Sequence, residues 1–332
     1  MTDESSDTDG ETAGSEADTT PAAATLDREE LRDSQRAALE ELLFRLADDE
    51  FVHAERATEW QIYAPTLESD LALANIAQDE FGHARLWYDL LQELGYTEAE
   101  CIWERPAAEW THSTLVELPF PEGGWGNAVV RGYLYDTAEQ IRLEALVDTS
   151  YAPLADRVGK ALSEEEYHRE HAGNWLERLA GEPESHDRLQ TAVDELFPHA
   201  LSLFTPGEHE AEIVANGFRR ATLDELRTEW LDTVVPRLES LGFDVPAVEG
   251  VSLDTEGDNR VPLDTEGDDG VGDDDEVSDD DGITDTETVP RPDVRGRDGT
   301  HTDVWAELYE EFTHTYHEIQ PEEPATLTSE EV

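Results

Sequence analysis

The chain has 332 residues, 37% of them hydrophobic, and a formal charge of −60 from 82 acidic and 22 basic side chains. Such a charge repels nucleic-acid phosphates and anionic membranes, and it repels itself; near 1 M salt the Debye length falls to roughly 3 Å and that repulsion is screened, which suits a halophile's cytoplasm. A lone cysteine, Cys101, excludes a disulfide framework, a zinc-thiolate site and a cysteine-ligated iron–sulfur cluster. The acidic N-terminus lacks the basic region of a signal peptide, and no apolar run reaches the ~18 residues that would span a bilayer.

Residues 1–25 are mostly Thr, Ser, Ala, Asp and Glu and read as a disordered acidic tail. Residues 28–62 read as one long helix with Leu39, Leu43 and Leu46 on a common face. Pro65 opens a second helix that runs to a break at Gly95. Residues 104–124 are rich in Pro, Gly and Trp and read as a loop excursion. The aromatics Trp103, Trp110 and Trp125 form either an exposed docking face there or a cap on the bundle. Long helices follow at about 125–149 and 153–180, the latter ending at Gly181, and shorter ones at 184–203, 208–216 and 221–240. No period-two strand pattern appears. Residues 26–249 therefore read as one all-α domain. Residues 250–300 change character: Leu-Asp-Thr-Glu-Gly-Asp occurs at 253–258 and again at 263–268, followed by a run of Asp, the composition of a disordered acidic insert. Trp305, Leu308, Tyr309 and Phe312 then recur at helical spacing, so a last helix over 301–319 docks back on the core, ahead of a disordered tail at 320–332.

The chemistry resides in a repeated motif. Glu80 and His83 on the second helix, and Glu165 and His168 on the fourth, are each Glu-x-x-His, which sets acid and imidazole one turn apart on one face. Both pairs interrupt apolar stripes. These are Leu73, Ile76, Glu80, His83, Trp87, Leu90 and Leu94, and Val158, Ala161, Glu165, His168, Ala172, Trp175 and Leu179. Ionisable groups at core positions are costly unless paired or coordinated. Each pair also has an acid upstream at hairpin distance. Glu50 precedes Glu80 by 30 residues with Pro65 midway, and Asp136 precedes Glu165 by 29 with the midpoint beside Pro153; Glu139, one turn on, is an alternative to Asp136. Packing the two hairpins gives a four-helix bundle whose interior holds four carboxylates and two imidazoles, the ligand inventory of a carboxylate-bridged di-iron or di-manganese site. Arg219 and Arg220 read either as phosphate contacts or as surface ion pairs.

At Ala64-Pro65-Thr66, Asp70–Ile76, Asp79-Glu80-x-x-His83 and Asn174–Leu179 the chain resembles the phenylacetic acid catabolic proteins, over most of residues 35–245. The last helix, from His301-Thr302, resembles the C-terminal helix of the C subunit of the multicomponent phenylacetyl-CoA epoxidase. That resemblance implies a ferritin-like bundle with additional C-terminal helices. It also implies sister oxygenase subunits, an acyl-CoA substrate whose aromatic ring is epoxidised, and two iron ions reduced by an external NADPH-dependent reductase. The C subunit of this family is usually a metal-free structural partner, yet Glu50, Glu80, His83, Asp136, Glu165 and His168 match the metal positions of the A subunit. The resemblance thus implies either a metal-competent C-type subunit or the oxygenase itself. A structural partner without metal and a ferritin-like iron-storage or peroxide-detoxifying protein are the competing readings. No glycine fingerprint for a flavin or nicotinamide is present, so the chain needs an outside electron source.

The charge density makes a direct prediction. The melting temperature is expected to rise steeply from dilute buffer to molar KCl; a calorimetric scan showing no change would contradict the self-repulsion argument.

Overall fold

A computed structural model describes residues 26, 28–120, 124–248, 251 and 292–319. Regular structure among them is helical, with an isolated bridge between Leu26 and Tyr151. α1 (Asp33–Trp60) begins after a 3-10 turn at Arg28–Glu30, because the Gln35 side chain accepts the Arg32 N–H at 3.1 Å and caps the helix there. α2 (Leu67–Glu93) is capped by Thr66, whose hydroxyl accepts the Ser69 N–H at 3.1 Å, and Glu68 and Asp70 in its first turn meet the positive end of the helix dipole. It stops at Gly95, whose φ of +113° lets its N–H and that of Tyr96 reach back to the Gln92 and Leu91 carbonyls.

The excursion that follows contains a π-helical turn at Ala99–Trp103, a 3-10 turn at Ala107–Glu109 and the one-turn helix α3 (Thr114–Glu117). α4 (Trp125–Glu144) and α5 (Ala152–Ala180) then form a second hairpin that packs like the first, and α2 touches α5 across the bundle. α4 stops short of residue 149 because tertiary bonds take over. Ser150 donates to the Gly217 carbonyl at 2.8 Å and accepts the Leu26 N–H at 2.7 Å. α6 (Pro183–Ala200) lies on α4 and α5, α7 (Glu210–Ala215) on α1, and α8 (Leu223–Ser240) on α4, where the Trp230 indole donates to the Leu134 carbonyl at 3.1 Å. None of the described helices is long and apolar enough to cross a membrane.

α9 (Trp305–Ile319) covers the excursion. Trp305 Nε1 donates to the Ala107 carbonyl at 3.0 Å, Tyr309 Oη donates to the Arg105 carbonyl at 2.8 Å, and Phe312 meets Phe51 edge-on at 5.3 Å between centroids. Trp110 is wholly buried beneath Trp305 and Phe312, and Trp103 is half-buried beside Phe312. These aromatics are therefore the seat of the last helix and not an exposed face.

Residues 292–300, which composition assigns to the insert, are folded. Gly296 and Gly299 adopt φ of +73° and +77°, and a side chain at either would run into the carbonyl of His112 or Ala108. Between them Arg297 reaches the core, donating to Asp49 Oδ2 at 2.6 Å and to the Thr111 carbonyl at 2.8 Å. Beside it Glu117 accepts from His112 Nε2 at 2.7 Å, His301 Nδ1 at 2.8 Å and the Thr302 N–H at 2.7 Å, which closes the joint. The expected tails at 1–25 and 320–332, and residues 250 and 252–291 of the insert, lie outside the described residues.

Truncating a buried, paired guanidinium leaves a carboxylate short of counter-charge. Arg297→Ala is expected to cost about 3–5 kcal/mol and to lower the melting temperature by on the order of 10 °C, read by calorimetry in molar KCl; a shift within error would mean that Arg142 alone satisfies Asp49.

Candidate metal centre

At mid-height of the bundle α1, α2, α4 and α5 each turn acids inward. Glu50, Glu80, His83 and Glu165 place donor atoms within 4.8 Å of one another, and His53, Glu80 and Asp136 form an adjoining group of the same tightness. Glu80 belongs to both. His83 Nδ1 lies 3.3 Å from Glu165 Oε1 and 3.8 Å from Glu50 Oε2; His168 Nδ1 lies 3.3 Å from Glu165 Oε1 and 3.4 Å from Glu80 Oε1. The structure thus brings together all six residues singled out in the sequence, each of them buried. Between the two upstream candidates it distinguishes by partner. Asp136 faces the cluster, whereas Glu139 sits 3.2 Å from Arg142 Nη1, out of line for a hydrogen bond, with Arg142 itself 2.7 Å from Asp49.

Sequence reasoning passed over three contributors. His83 Nε2 is 2.9 Å from Glu164 Oε2, and His168 Nε2 is 3.3 Å from Asp79 Oδ2. Each imidazole is therefore oriented by the acid that precedes the motif glutamate on the opposite helix, the outer-sphere arrangement that fixes tautomer and ring direction in histidine metal sites. The signal was the acidic residue directly before each Glu-x-x-His. His53 is the third: Glu50-x-x-His53 on α1 is the same motif again.

The electrostatics describe an interior short of positive charge. Burial raises the Glu50 carboxyl well above its ordinary range and the neighbouring Glu80 adds to the effect; burial and Glu165 do the same to Asp136. For His83 burial opposes protonation, but the Glu165 and Glu50 carboxylates outweigh it and push the imidazole up to about 12. For Glu165 burial works upward, and the His168 hydrogen bond and the nearby His83 imidazole outweigh it and bring the carboxyl to about 2. His53, desolvated and near Arg131, is lowered to about 4 and is neutral at pH 7. Both oxygens of Glu50 and of Glu80, Asp136 Oδ1, Glu165 Oε2 and the Nδ1 atoms of His53 and His83 have no hydrogen-bond partner among the described residues. Groups buried in that state cost about 1–3 kcal/mol each unless something else binds them. Excess carboxylate, oriented imidazoles and converging orphaned donors fit divalent ions of the hard-to-borderline kind, such as iron or manganese.

A pocket partly open to solvent lies beside the cluster, lined by Leu73, Phe120, Trp125 and Trp175 together with the buried His53 and Asp136. Trp125, one of the three aromatics read as a docking face or a cap, is thus a pocket wall. A separate hollow is bordered by Arg45, Arg142, Arg219 and Arg297. Arg219 is buried and pairs with the part-buried Glu210, so it is not a surface residue, while Arg220 is exposed.

An all-α bundle whose helices α1, α2, α4 and α5 turn acids inward, with a Glu-x-x-His on α2 and on α5, defines a ferritin-like carboxylate-bundle protein. Within that class the chain belongs to the phenylacetic acid catabolic protein family, whose profile matches residues 16–260. It is similar to two Escherichia coli (strain K12) proteins. One is the C subunit of 1,2-phenylacetyl-CoA epoxidase, 32% identical over 174 residues covering 52% of this chain and 70% of that one. The other is the A subunit of the same enzyme, 29% identical over 215 residues covering 63% and 69%.

Without added metal the site sets a pH optimum. His83, raised from 6.5 to about 12, contributes stability that is complete below its unfolded value and declines as pH rises through the interval between. Glu50 and Asp136, raised carboxyls, also favour the folded state less as pH climbs. Glu165, lowered from 4.5 to about 2, contributes above its unfolded value and loses that contribution as pH falls. The metal-free protein in molar KCl is therefore expected to melt highest near pH 4.5, where Glu165 contributes and the raised groups have begun to lose least, and progressively lower above it; a melting temperature still rising at pH 9 would contradict this balance.

Proposed function

We propose that this chain is the oxygen-activating subunit of a multicomponent phenylacetyl-CoA ring epoxidase, holding two iron ions between Glu50, Glu80, His83, Asp136, Glu165 and His168. The observation that carries the reading is the set of buried, unpartnered donors from four helices that share Glu80 between two adjoining groups. Family membership supports a role in phenylacetate catabolism. When bound, a reduced iron pair supplies the electrons and the open coordination positions that O₂ reduction needs. The chain's own residues do the rest. Asp79 and Glu164 hold the two imidazoles in register, and Glu50 and Asp136 oppose them from α1 and α4. The aromatic and aliphatic pocket walls offer a flat ring an apolar surface beside the donors. Electrons come from a separate reductase, since Cys101 is buried and alone in the sequence.

Similarity to the epoxidase's C subunit favours a second reading, a structural partner with no working metal. Reconstitution separates the two. Protein purified in molar KCl and loaded anaerobically is expected to carry about two irons per chain. With phenylacetyl-CoA, O₂, NADPH, the reductase and sister subunits it is expected to form the epoxide, and to form none without the reductase. Glu80→Ala is expected to abolish both iron uptake and turnover with helicity retained. Iron-free wild type after loading would establish the structural reading, and iron binding with peroxide consumption but no epoxide would establish detoxification.

A further inference from the structure

We infer that His53 is a third imidazole ligand of the centre, binding through Nδ1 beside Glu80 and Asp136 at the pocket-facing position. The inference rests on the metal reading above and adds a residue outside its six ligands. α1 carries Glu50 and His53 three residues apart, so it presents acid and imidazole one turn apart, as α2 and α5 do with their own pairs. His53 Nδ1 stands 3.5 Å from Glu80 Oε1, the same range that separates His83 and His168 from their carboxylates. Together with Glu80 and Asp136 it forms a group whose donor atoms all lie within 4.8 Å. All three imidazoles offer the same nitrogen, Nδ1, to the interior.

A packing histidine would satisfy that nitrogen. His53 is 4% exposed, and its Nδ1 has no hydrogen-bond partner among the described residues. The ring is held by Tyr135, whose centroid is 4.3 Å away, so its direction is set by the core. The two groups of donors are also unequal. Glu50, Glu80, His83 and Glu165 offer four residues to one position; His53, Glu80 and Asp136 offer three to the other, on the side lined by the pocket. His53 and Asp136 also line the pocket, so an ion held by this second group would lie beside the cavity.

Anaerobic cobalt(II) titration of the full chain in molar KCl, followed by equilibrium dialysis and visible ligand-field absorption, tests this without any turnover. Wild type is expected to take about two cobalt ions per chain. His53→Ala is expected to keep one at wild-type affinity and bind the second at least roughly tenfold more weakly, with altered ligand-field bands that added imidazole restores. Two ions at wild-type affinity with an unchanged spectrum in His53→Ala would overturn the assignment. If circular dichroism shows His53→Ala to be unfolded, His53→Gln is read by the same two criteria. Wild type that binds no cobalt would instead remove the metal reading as a whole, and the ligand with it.

Discussion

Three consecutive acids, Asp48, Asp49 and Glu50, pass through the middle of the molecule on α1 with no solvent exposure. Side chains at successive helical positions point about 100° apart, so no single neighbour can neutralise them. Each draws on a different part of the fold. Asp48 accepts from Arg105, from the Tyr88 hydroxyl at 2.9 Å and from the Thr111 N–H at 2.9 Å. Asp49 accepts from the Ser113 N–H at 2.7 Å and is paired with Arg142 and Arg297. Glu50 has no such partner and faces the histidines. A buried charge is tolerated only when paired and hydrogen-bonded. The excursion after α2, the last turn of α4 and the segment before α9 are therefore all tied to one turn of α1.

That arrangement links the centre to a part of the chain far from it in sequence. Arg297 holds Asp49 from one side while Arg142, one turn beyond Glu139 on α4, holds it from the other. The C-terminal segment thus sets the charge balance one residue away from Glu50. The His112–Glu117–His301 joint and the aromatic seat of α9 keep the segment in place. Burial raises the demand on the Glu117 carboxyl, and the two histidine hydrogen bonds outweigh it and hold it well below the usual carboxylate range. Acidic side chains dominate the surface and the composition, yet the interior is ordered by a few arginines and histidines placed against specific acids.

The centre itself has an internal exchange. The helix that carries Glu80 and His83 also carries Asp79, which orients His168; the helix that carries Glu165 and His168 carries Glu164, which orients His83. Neither hairpin assembles the donor cluster alone; it forms where α2 and α5 meet. The apolar walls beside it supply the low-dielectric surroundings in which unpaired carboxylates are most costly and in which a cation or proton bound between them is held most strongly.

The long helices, the paired Glu-x-x-His motifs and the convergence of the six candidate residues were legible because they depend on short-range periodicity. A 3.6-residue repeat places Glu80 and His83 on one face, and hairpin arms of equal length place Glu50 opposite Glu80. His53 was legible by the same rule, three residues beyond Glu50 on the stripe of Leu39, Leu43 and Leu46. What the sequence could not determine was which inward acid faces the site and which faces an arginine. Asp136 and Glu139 lie one turn apart, both buried, and only the position of Arg142 between Asp49 and Glu139 separates their roles. Nor did composition reveal that residues 292–300, beside an acidic low-complexity run, deliver Arg297 to an aspartate 248 positions earlier. Helical phase is written locally and can be read from the chain, whereas the counter-charge of a buried acid is chosen by tertiary packing, which brings together residues that no sequence spacing relates.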